Sequence, residues 1–141
     1  MAYRAWWLLL LISVCFLGCG KGAGGRVGID GSVSYAGEPI KKGSISFRAA
    51  DQALPEISGA IVDGKYQIPA QLGPKLDEYT VRVLGFRITK DPKAYVPSYL
   101  KDDPNAGTKA EQIVPKKYND ASQLKVKFTS GKSTYDFNLE K

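Results

Sequence analysis

The chain has 141 residues, 20 basic against 14 acidic side chains for a net charge of +6, no histidine and two cysteines. That length suits one domain built around one core. Without histidine both the usual neutral-pH acid–base residue and the commonest metal ligand are missing, and the basic excess is scattered rather than gathered into a block that would grip nucleic acid.

The first element is Arg4, the apolar run from Ala5 to Leu17, and Gly18-Cys19. A basic end, an apolar stretch and a small residue at its far edge make the layout of a secretory signal, and the run falls short of the ~20 residues a spanning helix needs. Residues 1–18 are therefore expected to be removed. Phe16-Leu17-Gly18-Cys19 resembles a bacterial lipobox, which implies a thioether-linked diacylglycerol on Cys19 and cleavage before it. Acyl chains such as palmitate contribute ~0.8 kcal/mol per buried methylene, so one chain holds marginally and two or more hold firmly. Cleavage further on, after Gly22-Ala23-Gly24, and an uncleaved anchor are the two bland alternatives.

Cys15 leaves with the signal and Cys19 is consumed by lipid, so the folded part has no thiol for a disulfide or a cysteine–metal site. Residues 19–25 carry the lipid and a glycine-rich tether. No Asp follows Cys19, which by the Gram-negative sorting pattern leans toward the outer membrane.

Residues 26–141 are expected to form an all-β domain, because short alternating runs recur between Gly, Pro and Asp-Gly breaks and no helical period is sustained. The expected strands are Val27 to Tyr35, Gly43 to Ala49, Ile57 to Val62, Lys65 to Ile68, Asp77 to Leu84 with a continuation to Ile88, Gln123 to Phe128, and Thr134 to Leu139. Asp63-Gly64 is a strong two-residue hairpin signal, since both positions tolerate positive φ. Seven strands with one apolar and one polar face predict an antiparallel β-sandwich.

Between Lys90 and Ala121 the periodicity vanishes. Loops this long are usually functional or disordered, and this one carries Tyr95, Tyr99 and Tyr118, the candidate contacts for a partner. The alternative is that the three tyrosines pin an irregular crossover onto the sandwich, rings buried and hydroxyls wet. Asp102-Asp103-Pro104-Asn105 offers oxygen ligands but lacks the spacing of a calcium loop, and Lys116-Lys117 near Lys109 lacks the interleaved aromatics of a single-strand binder. A hydrolytic site of carboxylates would draw on Asp77, Glu78 or Asp120, which no spacing brings together.

Gly31-Ser32-Val33-Ser34-Tyr35-Ala36-Gly37-Glu38-Pro39-Ile40, Gly43-Ser44-Ile45-Ser46-Phe47, Asp63-Gly64-Lys65-Tyr66 and Glu78-Tyr79-Thr80-Val81-Arg82-Val83 together resemble the carboxypeptidase regulatory-like domains. The tail from Val114 through Leu139 is similar to the closing part of small lipoproteins of planctomycete-type bacteria. The resemblance implies a seven-stranded transthyretin-like sandwich in the cell envelope with no catalytic residues. The purine-pathway hydrolases of that fold use histidines, absent here. Adhesin domains of related shape form a Lys to Asn or Asp isopeptide bond assisted by a buried carboxylate, but the first strand offers no inward lysine and Asn138 is read as facing water. The expectation is a lipid-anchored, noncatalytic structural or interaction module of the cell envelope, held to the membrane through Cys19, without cofactor, metal or nucleic acid, and with an envelope protein as partner. The alternative is an accessory that binds carbohydrate or envelope polymer through the 90–120 loop.

Overall fold

The computed structural model describes residues 24–51 and 54–141, and these form an all-β domain. The signal, Cys19 and most of the tether lie outside the described residues; of the tether only Gly24 and Gly25 are included, both at positive φ. Nine strands are present among the described residues: β1 Ile29–Tyr35, β2 Glu38–Pro39, β3 Lys42–Ala49, β4 Ile57–Val62, β5 Lys65–Ile68, β6 Glu78–Lys90, β7 Thr108–Gln112, β8 Lys125–Lys127 and β9 Phe137–Leu139. They follow one path, β2-β1-β5-β4-β3-β6-β7, with β8 added to β6 and β9 to β1. The sheet curls into a half-barrel of the β-sandwich class.

Strand alternation explains the curl. In β3 and β6, Ile45, Phe47, Val81 and Val83 are fully buried while Ser46 and Arg82 between them reach solvent, so one face closes on itself and the other stays wet. β8 and β9 lead Phe128 and Phe137 into that concavity. Phe128 stands edge-on to Phe47 at 5.3 Å and to Tyr135 at 4.8 Å, the geometry that aromatic quadrupoles favour. Asp63 and Gly64, at φ 48° and 76°, make the expected β4–β5 turn.

Five differences separate the structure from the sequence reading. Glu38–Pro39, expected only to end the first strand, pairs back on Tyr35 and Ser34 as β2. Val27 is not in β1, because its amide donates to the Pro74 carbonyl at 2.9 Å instead of to a strand. β6 runs to Lys90 because β7 pairs with it from Phe86↔Gln112 to Lys90↔Thr108. β7 lies in the stretch read as aperiodic; its sequence, Thr-Lys-Ala-Glu-Gln, is exposed or half-exposed throughout, so backbone pairing holds it and no hydrophobic alternation marks it. The last two strands are shorter than expected, and β9 joins β1 in parallel, Val33↔Phe137 to Tyr35↔Leu139, a parallel pairing extended by the Asp30↔Thr134 bridge, while the other described strand pairs are antiparallel.

Candidate functional site

Where the molecule could meet a partner follows from where its strands end. Register places Ile29, Ile68, Gly59, Ile45 and Val83 in one row across the sheet. The chain enters below that row, where Arg26 bridges Lys75. Above it β3 stops at Lys42, level with Phe86. β6 continues to Lys90, so the β6–β7 hairpin projects past the sheet on the side away from chain entry. From Val83 to the loop at its tip is about 25 Å at ~3.3 Å per residue.

That loop, residues 91–107, is closed and internally bonded. The Asp91 amide donates to the Gly107 carbonyl at 2.7 Å, and the Lys90 ammonium donates to the Pro104 and Ala106 carbonyls at 3.1 and 2.9 Å. A 3-10 turn at Ser98–Leu100 and a turn with the Asp103 carboxylate accepting from the Asn105 amide at 2.8 Å complete it. Gly107 sits at φ 64°, and a Cβ there would meet the Val96 side chain at 2.9 Å. A scaffold of this kind orders the backbone from which exposed side chains project, so less backbone entropy remains to be lost when a partner covers them.

Tyr95 and Tyr99 occupy that scaffold 88% and 82% exposed. Tyr118 is elsewhere. It lies in a second 3-10 turn, Lys116–Tyr118, half-buried against the core, its hydroxyl accepting from the Glu140 amide at 3.1 Å and its ring 5.1 Å from the Lys117 ammonium. The structure therefore does not bring the three tyrosines together. Burial against the sandwich describes Tyr118 and fails for Tyr95 and Tyr99.

The carboxylates read as a possible hydrolytic set are held by different partners. Asp77 accepts from the Glu78 amide, Glu78 pairs with Lys125 at 2.9 Å, and Asp120 pairs with Arg82 at 2.8 Å. Among the described residues no three His, Cys, Asp or Glu side chains are grouped to hold a metal, and no helix is long and apolar enough to cross a membrane.

Two features of the outer sheet face escaped the sequence reading because they join residues distant in the chain. Glu56 receives the Ser46 hydroxyl and lies beside Arg48 and Arg82; the Ser46 hydrogen bond first, then the guanidinium charges, hold its carboxyl below the ordinary range. Asp136 accepts from both the amide and the hydroxyl of Ser32 at 2.7 Å, the hydroxyl contributing most to lowering its pKa. Asp136 and Asp30 border an open depression of about 640 Å³ on β1 and β5, where Asp30 accepts from the Thr134 hydroxyl.

Compared with known proteins, the chain matches no family model, no curated protein and no solved structure.

Proposed function

We propose that this chain is a lipid-anchored, noncatalytic interaction module of the cell envelope, standing on a diacylglyceryl Cys19 and presenting Tyr95 and Tyr99 to an envelope partner. The observation that carries the reading is the pairing of two fully exposed aromatic rings with a closed, self-bonded loop. Single exposed aromatics are common on protein surfaces; what marks these two is that they share one closed loop at the projecting end of the hairpin, the kind of place where binding residues concentrate. The loop caps the end of the hairpin opposite the entry of the chain, so an anchor upstream of Arg26 leaves the tyrosines facing outward. The carboxypeptidase regulatory-like reading, with a transthyretin-like sandwich and an outer-membrane location, is part of the same proposal. It is supported by the fall of Asp63-Gly64 on the β4–β5 turn with Lys65-Tyr66 opening β5.

The test joins both ends of the molecule. Cells fed labelled palmitate should mark the wild-type protein and not Cys19→Ala, and a photocrosslinker at position 95 or 99 should capture an envelope component that one at the chain-entry end does not. Label retained by Cys19→Ala, or identical capture from both ends, sinks the proposal. A second reading, envelope carbohydrate as the partner, rests on the two tyrosine rings, whose open faces suit stacking on sugar. Tyr95→Ala and Tyr99→Ala should then abolish binding on a glycan array, and a blank array for the wild-type protein rejects it.

A further inference from the structure

The projection of the β6–β7 hairpin leaves a vacancy beside it. In the β6–β7 ladder the Ile113 amide donates to the Gly85 carbonyl and the Asp91 amide to the Gly107 carbonyl, so odd-numbered residues of β6 direct their peptide groups toward β7. Even-numbered residues direct theirs the other way. Phe86 meets Lys42 there, but beyond Lys42 the chain turns off to β2, and the Ile40 and Lys41 carbonyls accept from the Gly64 and Asp63 amides. No described strand pairs with Ile88 or Lys90 on that side.

The vacancy is a cleft of about 370 Å³. Pro39, Lys41 and Lys42 form one wall. Phe86, Ile88 and Ile113 supply apolar surface on the other, where Ile88 is 41% exposed. Arg87 lines it too, and among the described residues lining it Glu38 is the one acidic side chain. Lys41, Lys42 and Arg87 take part in none of the four ion pairs among the described residues, and Glu111, across the ladder from Arg87, forms none with it. Open strand edges recruit further strands. A second copy of this chain would bring the same three cations against themselves, whereas an acidic chain would neutralise them.

We propose that an extended acidic segment of a partner polypeptide docks in this cleft as an added strand on β6. Its backbone pairs with Ile88 and Lys90, its apolar side chains cover Phe86 and Ile88, and its carboxylates meet Lys41 and Arg87. This is strand addition, in which main-chain bonds supply affinity and alternate side chains supply specificity. Alternation suits the site, because Arg87 lies on the face opposite Phe86 and Ile88. The site is separate from Tyr95 and Tyr99 and does not rest on the function proposed for them.

The test is fluorescence anisotropy with a fluorescein-labelled peptide of about eight residues alternating glutamate and isoleucine, enough to span the free edge at ~3.3 Å per residue. Saturable binding is expected, weakened about tenfold or more by Lys41→Glu with Arg87→Glu, as loss and reversal of two ion pairs implies. Ile88→Pro should weaken it comparably, since it removes an amide that no described strand uses and leaves every β6–β7 bond in place. Should Ile88→Pro fail to fold, slowed hydrogen exchange of the wild-type Ile88 amide on peptide addition is the substitute. Tyr95→Ala with Tyr99→Ala should bind the peptide unchanged. Any of four results overturns the proposal: no saturable binding, equal binding by the charge-reversed variant, equal binding of polyglutamate, or tighter binding to phosphatidylglycerol vesicles than to the peptide.

Discussion

The Tyr66 hydroxyl donates to the Tyr135 carbonyl across 2.8 Å, joining β5 to the segment that leads into the last strand, 69 residues away. The Tyr135 amide in turn donates to the Asp30 carbonyl at 2.8 Å, so this one peptide stretch is held from two strands. Burial, and then the charges of Asp30 and Asp136, push the Tyr66 phenol well above its ordinary pKa.

Tyr66→Phe keeps the ring and leaves the Tyr135 carbonyl without that donor. A loss of about 1 kcal/mol is expected from one buried hydrogen bond, measured as a lower urea midpoint with an unchanged slope. Because the folded pKa is raised, Tyr66 contributes stability that is complete below the unfolded phenol pKa and is lost as pH rises from there toward the folded value. In alkaline denaturation the wild-type advantage over Tyr66→Phe should therefore shrink above the unfolded phenol pKa and then reverse, because only the wild type must bury or ionise a phenol.

Gly31→Ala should be far more damaging. A Cβ at Gly31 would lie 1.9 Å from the Tyr135 carbonyl oxygen, which is backbone and cannot swing away. The expected outcome is a loss of about 3 kcal/mol or more, with the Asp30–Thr134 bridge and β9 losing amide protection before the rest of the sheet.

At acid pH the outer-face carboxylates act in one direction. The folded pKa values of Glu56 and Asp136 are depressed, so each contributes stability that is present above its unfolded pKa and lost as pH falls through the lowered folded value. Stability should decline below about pH 4.5. Ser32→Ala should raise the Asp136 pKa, and Ser46→Ala the Glu56 pKa, both read from carboxyl chemical shifts. A carboxyl that stays put in its variant contradicts the assignment.

Gly107→Val should loosen the tyrosine loop without unfolding the domain. It places a β-branched residue at φ 64° against Val96, a strain of about 1–3 kcal/mol. Protease nicking between Lys93 and Lys101 should speed up at least several-fold while the melting of the sheet stays nearly unchanged.

What the sequence alone determined is the sheet. Alternation in Ile45 and Phe47, in Tyr79, Val81 and Val83, and in Tyr135, Phe137 and Leu139 chose the inner face at each strand, and Asp63-Gly64 set a hairpin, because these are local properties with a period of two. Only the tertiary structure decided which ends of the sheet stay open. β7 has no apolar code and forms because β6 runs on past β8 and offers β7 its odd-numbered peptide groups; the cleft at Lys41, Lys42 and Arg87 exists because β3 and β6, some 45 residues apart in the chain, stop at different heights. Likewise Tyr118 packs inward while Tyr95 and Tyr99 stand in solvent. Their surroundings in the chain look alike, and burial is decided by what lies across from a residue in space, which no nearby letter records.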